Sequence, residues 1–289
     1  MKKKYVVNVS VADLRLEPIV GQHSYERDFM QESQVLFGEC LLGGEPQGGW
    51  LHVECVEQQY CDGEGRWMGY PGWIEEWQVT EVDEFPLNNL VVTALWAEIL
   101  SEEPLQVSAG TKLCGVNCSE GWWSVRLPSG QQGRIAVTHV KEISSGVDGA
   151  LMISIAKKMV GSPYLWGGRS AYHKDWKTGV DCSGLTNLLY RMQGIDIPRN
   201  AHDQYLKSEA LDWEQLQLGD LLFEVSEKNP ERIDHVILYA GNEELIEATL
   251  QEKRVRLVPL REIAHRSRFF RGAARPSCSP GREPAPCAL

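Results

Sequence analysis

The 289 residues are 43% hydrophobic and 24% charged, with a formal net charge of −11; this is ordinary globular composition, enough for one large domain or two to three small ones. The acidic balance argues against a nucleic-acid partner, since phosphate binding relies on Lys and Arg. No apolar run approaches the roughly 18 residues of a spanning helix, so no membrane partner is expected.

Met1-Lys2-Lys3-Lys4 resembles the basic start of a secretory signal, but the run after it is broken at Asn8, Ser10 and Asp13. The expectation is a mature N-terminus and a cytoplasmic address. The eight cysteines then read as thiols and not as a disulfide framework. Neither Cys114 with Cys118 nor Cys55 with Cys61 near His52 has paired Cys-x-x-Cys spacing, so neither metal nor cofactor is expected.

The first half consists of short apolar segments between Gly, Pro, Asn and acidic turns, which is a β pattern. It also repeats. Gly49-Trp50-Leu51-His52-Val53 recurs as Gly121-Trp122-Trp123-Ser124-Val125, Gly72-Trp73-Ile74 matches Gly133-Arg134-Ile135, and Val11 to Arg15 is echoed by Val92 to Trp96. The repeat predicts two related small barrels, over 1–84 and 85–145. Trp50, Trp73 and Trp122 read as residues that close them. The first copy carries two insertions, His23 to Ser33 and Glu57 to Met68, and such loops are where a scaffold places binding groups.

From Val147 the pattern changes. Leu151, Met152, Ile155, Ala156, Met159 and Val160 form a helical stripe ending at Gly161 and Pro163, and Leu185, Leu188, Leu189 and Met192 form a second ending at Gly194. Strands are predicted at Leu221 to Val225, His235 to Ala240, Leu245 to Ala248, Arg254 to Pro259 and Arg268 to Ala273. Helices followed by strands describe an α+β domain over 146–275. The Pro-rich tail, Pro276 to Leu289 with Cys278 and Cys287, reads as a disordered end.

Cys182 lies where the second stripe begins. A thiol there meets the positive end of the helix dipole and unpaired N–H groups, which favour thiolate and can hold an oxyanion. Position alone fits inert packing equally well. The surrounding motifs decide: Tyr164-Leu165-Trp166-Gly167-Gly168, Asp181-Cys182-Ser183-Gly184-Leu185, Ile197-Pro198-Arg199 with Gln204, Gly219-Asp220-Leu221, and Asp234-His235-Val236-Ile237-Leu238-Tyr239, in that order. Across Val147 to about Ala274 the chain resembles the NlpC family of papain-like cell-wall peptidases, and each β copy resembles a bacterial Src-homology-3 domain.

The resemblance implies Cys182 as nucleophile, His235 as general base and Tyr164 close to the nucleophile. The family commonly carries a third polar residue, usually histidine, where this chain has Glu247. That carboxylate reaches His235 only if the hairpin between them has an odd loop, such as Gly241-Asn242-Glu243, and points away in an even register; if Glu247 proves to be a surface charge, Thr249, on the same strand face, is the next candidate. Tyr164 stands farther from Cys182 than in typical members because Ser170 to Gly179 reads as an inserted loop, one that bulges outward or adds a wall to the cleft.

The implied reaction is hydrolysis between γ-D-glutamate and a diamino acid (meso-diaminopimelate or Lys) in peptidoglycan peptides. Members with two Src-homology-3 domains resemble the recycling type, which requires a free N-terminal L-Ala and uses the first barrel to block the cleft. An L-Ala-γ-D-Glu-diamino acid peptide is therefore the expected partner. Asp181 and Ser183 are the first candidates to hold its ammonium, together with Tyr70 and one acidic residue among Glu26, Asp28 and Glu32. Arg199 and Asn200 fall among the substrate-binding positions, although Asn200 and Ala201 stand where acidic or hydroxyl residues are often found. A hydrolase or amidase of intact peptidoglycan, with the barrels as wall anchors, and a non-catalytic wall-binding module remain open at this point.

Overall fold

The computed structural model describes residues 2–21, 25, 27–144, 146–226, 229–265 and 269–277. Its first part contains β1 (Lys3–Val7), β2 (Val11–Arg15), β3 (Gln31–Leu36), β4 (Cys40–Gly43), β5 (Trp50–Cys61), β6 (Trp67–Glu75) and β7 (Val79–Val82). They form one sheet in the order β3-β2-β6-β5-β4-β1-β7. Alternation along β5 buries Leu51, Val53 and Cys55 against Leu14, Val35, Leu41 and Ile74, as the two-residue side-chain period requires.

The second part contains β8 (Leu90–Val92), β9 (Trp96–Ile99), β10 (Leu105–Ser108), β11 (Lys112–Ser119), β12 (Trp122–Arg126), β13 (Gln132–Ala136) and β14 (Val140–Glu142). Five of these strands pair in the order β13-β12-β11-β8-β14, and β9 pairs with β10. Its core is separate, built from Val92, Ile99, Val107, Val125 and Ile135. Both parts are all-β, and the seven-stranded ladder runs from β3 to β7 without closing.

The internal repeat survives at the level of register. Leu51 pairs with Ile74 and Val53 with Gly72, while Trp123 pairs with Ile135 and Val125 with Gly133. The two glycines serve the same purpose. A Cβ on Gly72 would lie 2.5 Å from Leu14, and one on Gly133 would lie 2.6 Å from Ile99. This equivalence corrects the third echo: Leu14 corresponds to Ile99, so Val11 to Arg15 matches the segment beginning at Trp96, four residues later than expected.

The insertions are also redrawn. The first spans residues 16–30, because Gln31, Glu32 and Ser33 belong to β3. The second is an extension of the β5–β6 hairpin, turned at Asp62, whose carboxylate accepts from the N–H groups of Glu64 and Arg66.

The third part opens with α1 (Gly149–Met159), started by Asp148, whose side chain accepts from Leu151 N. α2 (Cys182–Arg191), α3 (Ala201–Leu206) and β15 (Ser208–Leu211) follow, then β16 (Leu221–Ser226), β17 (Asn229–Gly241), β18 (Glu244–Thr249), β19 (Arg254–Pro259) and β20 (Phe269–Pro276). The strands form an antiparallel sheet, β15-β20-β16-β17-β18-β19. Leu185, Leu188 and Leu189 of α2 and Met152, Ile155 and Met159 of α1 pack on the sheet face presenting Val236, Leu238 and Ile246. Truncating a fully buried leucine such as Leu188 there costs about 2–5 kcal/mol. The α+β expectation holds, with α3 and β15 added. Pro276 pairs with Ser208 inside β20, so the strand overruns the expected start of the tail; Arg268 and residues 278–289, with Cys278 and Cys287, lie outside the described residues. Among the described residues no helix is long and apolar enough to cross a membrane.

The three parts meet at a buried ionic junction. Arg169 pairs with Glu39 at 2.5 Å, Arg191 with Glu57 at 3.2 Å and Asp196 at 2.7 Å, and Lys112 with Glu57 at 3.2 Å and with Asp196. Burial opposes ionisation of Glu57, yet Arg191 and Lys112 hold its carboxyl well below the usual carboxylate range.

Candidate active site

The site is built around the start of α2. Asp181 is its N-cap, with Oδ1 accepting from Gly184 N at 2.6 Å. The same carboxylate accepts from Gly167 N at 3.0 Å and, through both oxygens, from Arg199 at 2.7 and 3.1 Å. Ser183 Oγ donates to Asp181 at 3.2 Å and accepts from Arg199 at 3.0 Å. Glycine is needed at 184 because a Cβ there would lie 2.0 Å from the Gly168 carbonyl oxygen. Asp181, Ser183 and Arg199 thus form one internal network that fixes the helix start and presents Cys182, which is half-buried.

Opposite Cys182 stands His235 in β17, buried and close enough for the Cys182 side chain to act on its charge. Its Nε2 lies 2.7 Å from Glu247 Oε2. Burial opposes a charged imidazole, but the hydrogen bonds with Cys182 and Glu247 and their negative charge prevail, and the pKa is pushed up to about 9. The imidazole is therefore suited to carry its proton at neutral pH.

Whether Glu247 can reach His235 depends on hairpin parity, and the parity is odd. Tyr239 pairs with Leu245 and Gly241 with Glu244, with a register shift between them. The extra residue is Ala240; the turn itself is Asn242-Glu243, with φ +51° and +57°, the positive values of a type I′ hairpin turn. The odd count comes from a bulge plus a two-residue turn, where a three-residue loop was expected, and it puts Glu247 on the His235 face.

Sequence reasoning missed Arg256. It sits directly across from Glu247 in the β18–β19 register and donates to Glu247 Oε1 through Nε at 2.8 Å and Nη2 at 2.7 Å, while Nη2 also meets Glu262 at 2.8 Å. The signal was present as an opposite-charge cross-strand pair. Thr249 is occupied locally, accepting from Gln251 N at 3.2 Å.

Tyr164 is pinned by its N–H to Lys253 O at 2.9 Å and by the neighbouring bond from Leu165 N to Val180 O at 3.0 Å. Burial, then the negative charge of Cys182 and Asp181, push its hydroxyl well above the ordinary phenol value, so it stays protonated. The loop between them is closed by Ser170 N to Gly179 O at 3.0 Å. It bulges away from the helix start and buttresses both β parts: Tyr25 Oη donates to Thr178 O, Gln34 Nε2 to Lys177 O and Trp96 Nε1 to Tyr172 O. A cavity of about 520 Å³ between this loop and the first part is lined by Asp13, Gln34, Trp50, Trp77 and Trp176, and by none of the Cys182, His235 or Glu247 side chains.

The first β part reaches the site through Glu32 and Tyr70. Tyr70 Oη donates to Glu32 Oε2 at 3.0 Å and lies 3.5 Å from Asn200 Oδ1. Of the three acidic residues left open, Asp28 is paired with Arg15 at 2.7 Å, Glu26 lies outside the described residues, and Glu32 is half-buried at the cluster. The extended β5–β6 hairpin fastens this part onto α3, through Arg199 N to Gln59 O and Cys61 N to Asp203 Oδ2. Among the described residues no cluster of three His, Cys, Asp or Glu side chains could hold a metal ion.

Residues 161–273 match the model of the NlpC/P60 family. Over 243 residues the chain is 30% identical to a γ-D-glutamyl-L-lysine dipeptidyl-peptidase of Bacillus cereus, covering 79% of this chain and 70% of that one. Over 247 residues it is 29% identical to a protein of the same name from Bacillus subtilis, covering 82% and 79%. A crystal structure of an NlpC/P60 family protein from Bacillus cereus superposes with a TM-score of 0.81 at 27% identity, over 94% of this chain and 99% of that one. With its papain-like third part and a similarity that extends through both β parts, the chain belongs to the NlpC/P60 family.

Proposed function

We propose that the protein is a cysteine endopeptidase that cleaves the bond between γ-D-glutamate and a diamino acid, meso-diaminopimelate or Lys, in peptidoglycan stem peptides bearing a free N-terminal L-Ala. The observation that carries this reading is the line Cys182–His235–Glu247 at the start of α2, with His235 2.7 Å from Glu247. The names of the two Bacillus relatives support the bond assigned. We assign the two β parts as Src-homology-3-like domains and place the enzyme in cytoplasmic recycling of wall peptides.

In this mechanism the Cys182 thiolate attacks the γ-carbonyl carbon. The N–H groups at the helix start and the protonated Tyr164 hydroxyl donate to the oxyanion. Collapse breaks the C–N bond, His235 gives its proton to the leaving amine, and a thioester remains on Cys182. His235 then takes a proton from water, whose oxygen attacks the thioester, releasing the L-Ala-γ-D-Glu acid and the thiolate. Glu247 orients the imidazole and stabilises its charge, and Arg256 holds Glu247.

The substrate ammonium is assigned to Glu32 and Tyr70. Asp181 and Ser183, named first from sequence, are saturated by Gly167, Gly184 and Arg199 and act by shaping the pocket, whereas Glu32 receives the Tyr70 hydroxyl and can accept an ammonium as well. The test is hydrolysis of L-Ala-γ-D-Glu-diaminopimelate beside intact sacculi, by the wild type and by Cys182→Ala. Cleavage of the tripeptide alone, lost in Cys182→Ala, is expected. Cleavage of sacculi at comparable rate would replace recycling by wall hydrolysis, and an active Cys182→Ala would remove the nucleophile assignment.

A further inference from the structure

The connection between β2 and β3 contributes a cation next to the site. The Arg27 guanidinium carbon stands 3.8 Å from the ring centroid of Trp166 and 4.5 Å from that of Phe29, so two aromatic rings hold it. Trp166 is two residues from Tyr164 and packs against the same core as Cys182. The Tyr164 hydroxyl is within reach of both charges, Cys182 raising its pKa and Arg27 lowering it by less.

Arg27 differs from the other arginines here. Arg199 is committed to Asp181, and Arg256 to Glu247 and Glu262. Among the described residues Arg27 has no hydrogen bond or ion pair, and it is exposed. A planar guanidinium fixed by ring contacts, with its N–H donors unused, is prepared for a carboxylate at little further cost in side-chain freedom.

The proposed substrate carries carboxylates on both sides of the scissile bond. γ-Linkage leaves the α-carboxylate of D-glutamate free, two methylenes from the scissile carbonyl, and the diamino acid carries an α-carboxylate on the other side of the bond. Resting on the function proposed above, we propose that Arg27 is a specificity-determining residue that binds a substrate carboxylate flanking the scissile amide. The enzyme would thereby discriminate against peptides in which that carboxylate is amidated.

The experiment compares three peptides, L-Ala-γ-D-Glu-L-Lys, its glutamate α-carboxamide and its C-terminal carboxamide, with the wild type, Arg27→Gln and Arg27→Lys. For wild type, one of the two amides is expected to lower kcat/KM about tenfold, the size of a charge-assisted hydrogen bond, and that amide identifies which carboxylate is bound. Arg27→Gln should lower kcat/KM about tenfold on the acid peptide and leave that amide unchanged, with Arg27→Lys between the two. A uniform loss on all three peptides would make Arg27 a loop-positioning residue and overturn the proposal while leaving the peptidase reading intact. Failure of the wild type on every peptide would overturn both.

Discussion

The two β parts share a repeat down to the pairing of Leu51 with Ile74 and Trp123 with Ile135, yet only one of them joins the site. The connection between β2 and β3 has fifteen residues, 16–30, against five, 100–104, in the second part. The hairpin that ends at Arg126 and restarts at Gln132 in the second part is drawn out to Cys61 and Trp67 in the first. The longer segments of the first carry Arg27 and Gln59 to the catalytic part, and its β3 and β6 carry Glu32 and Tyr70. The second part meets the catalytic part through Lys112 in the ionic junction and through Trp96 against the inserted loop. A common scaffold thus reaches the site region where its segments lengthen and, in the function proposed above, takes part in substrate selection there through Glu32 and Tyr70 of its strands as well.

The largest expected effect is on the structural side of this comparison. Arg169→Ala leaves Glu39 buried without its 2.5 Å partner, and loss of one member of a buried pair costs about 3–5 kcal/mol. Urea unfolding monitored by tryptophan fluorescence should show it. A loss below roughly 1 kcal/mol, the range of a surface pair, would mean that the junction does not hold the parts together.

This junction was not legible in the sequence, because Glu39, Lys112 and Arg169 come from three parts and only their packing places them together. The helical stripes and the motifs around Cys182 and His235 were legible because both are local. Glu247 stood between these cases: its face depends on one residue, Ala240, bulging in β17, and no sequence signal marks that bulge. α3 was missed since Ala201 to Leu206 is too short to display a helical period. Glu26, Asp28 and Glu32 are equivalent in the sequence; the start of β3 at Gln31 and the pairing of Asp28 with Arg15 set Glu32 apart from Asp28.

The second effect separates chemistry from substrate selection. The folded-state pKa of His235 is raised from 6.5 to about 9, so the stabilisation of its charged form is complete below about 6.5 and is lost as pH rises through about 9. Turnover should therefore fall above about pH 9. Glu247→Gln removes one of the influences that raise this pKa, so the alkaline limb should move to lower pH and kcat should fall more than affinity. Glu32→Gln and Tyr70→Phe should leave the limb where it is. An unmoved limb in Glu247→Gln would show that the carboxylate does not act on the imidazole.

The smallest effect is expected in the second part. Trp122 is half-buried at the start of β12, with the Arg134 guanidinium 5.7 Å from its ring. Trp122→Ala should change kcat/KM on the tripeptide by less than about twofold, in line with near-neutral surface substitutions of roughly ±0.5 kcal/mol. A tenfold loss would give the second part a share in binding and undo the contrast between the copies.

The central claim is that the first β part selects the substrate by its free amine, and the direct measurement is the ratio of kcat/KM for L-Ala-γ-D-Glu-L-Lys to that for its N-acetylated form, in the wild type and in Glu32→Gln. Acetylation removes the charge, so the wild-type ratio should exceed about tenfold, corresponding to the 1.5–3 kcal/mol of a charge-assisted hydrogen bond. In Glu32→Gln the ratio should collapse toward one through loss on the free-amine peptide. A wild-type ratio near one, or a large ratio that survives in Glu32→Gln, would contradict the assignment of the ammonium to Glu32.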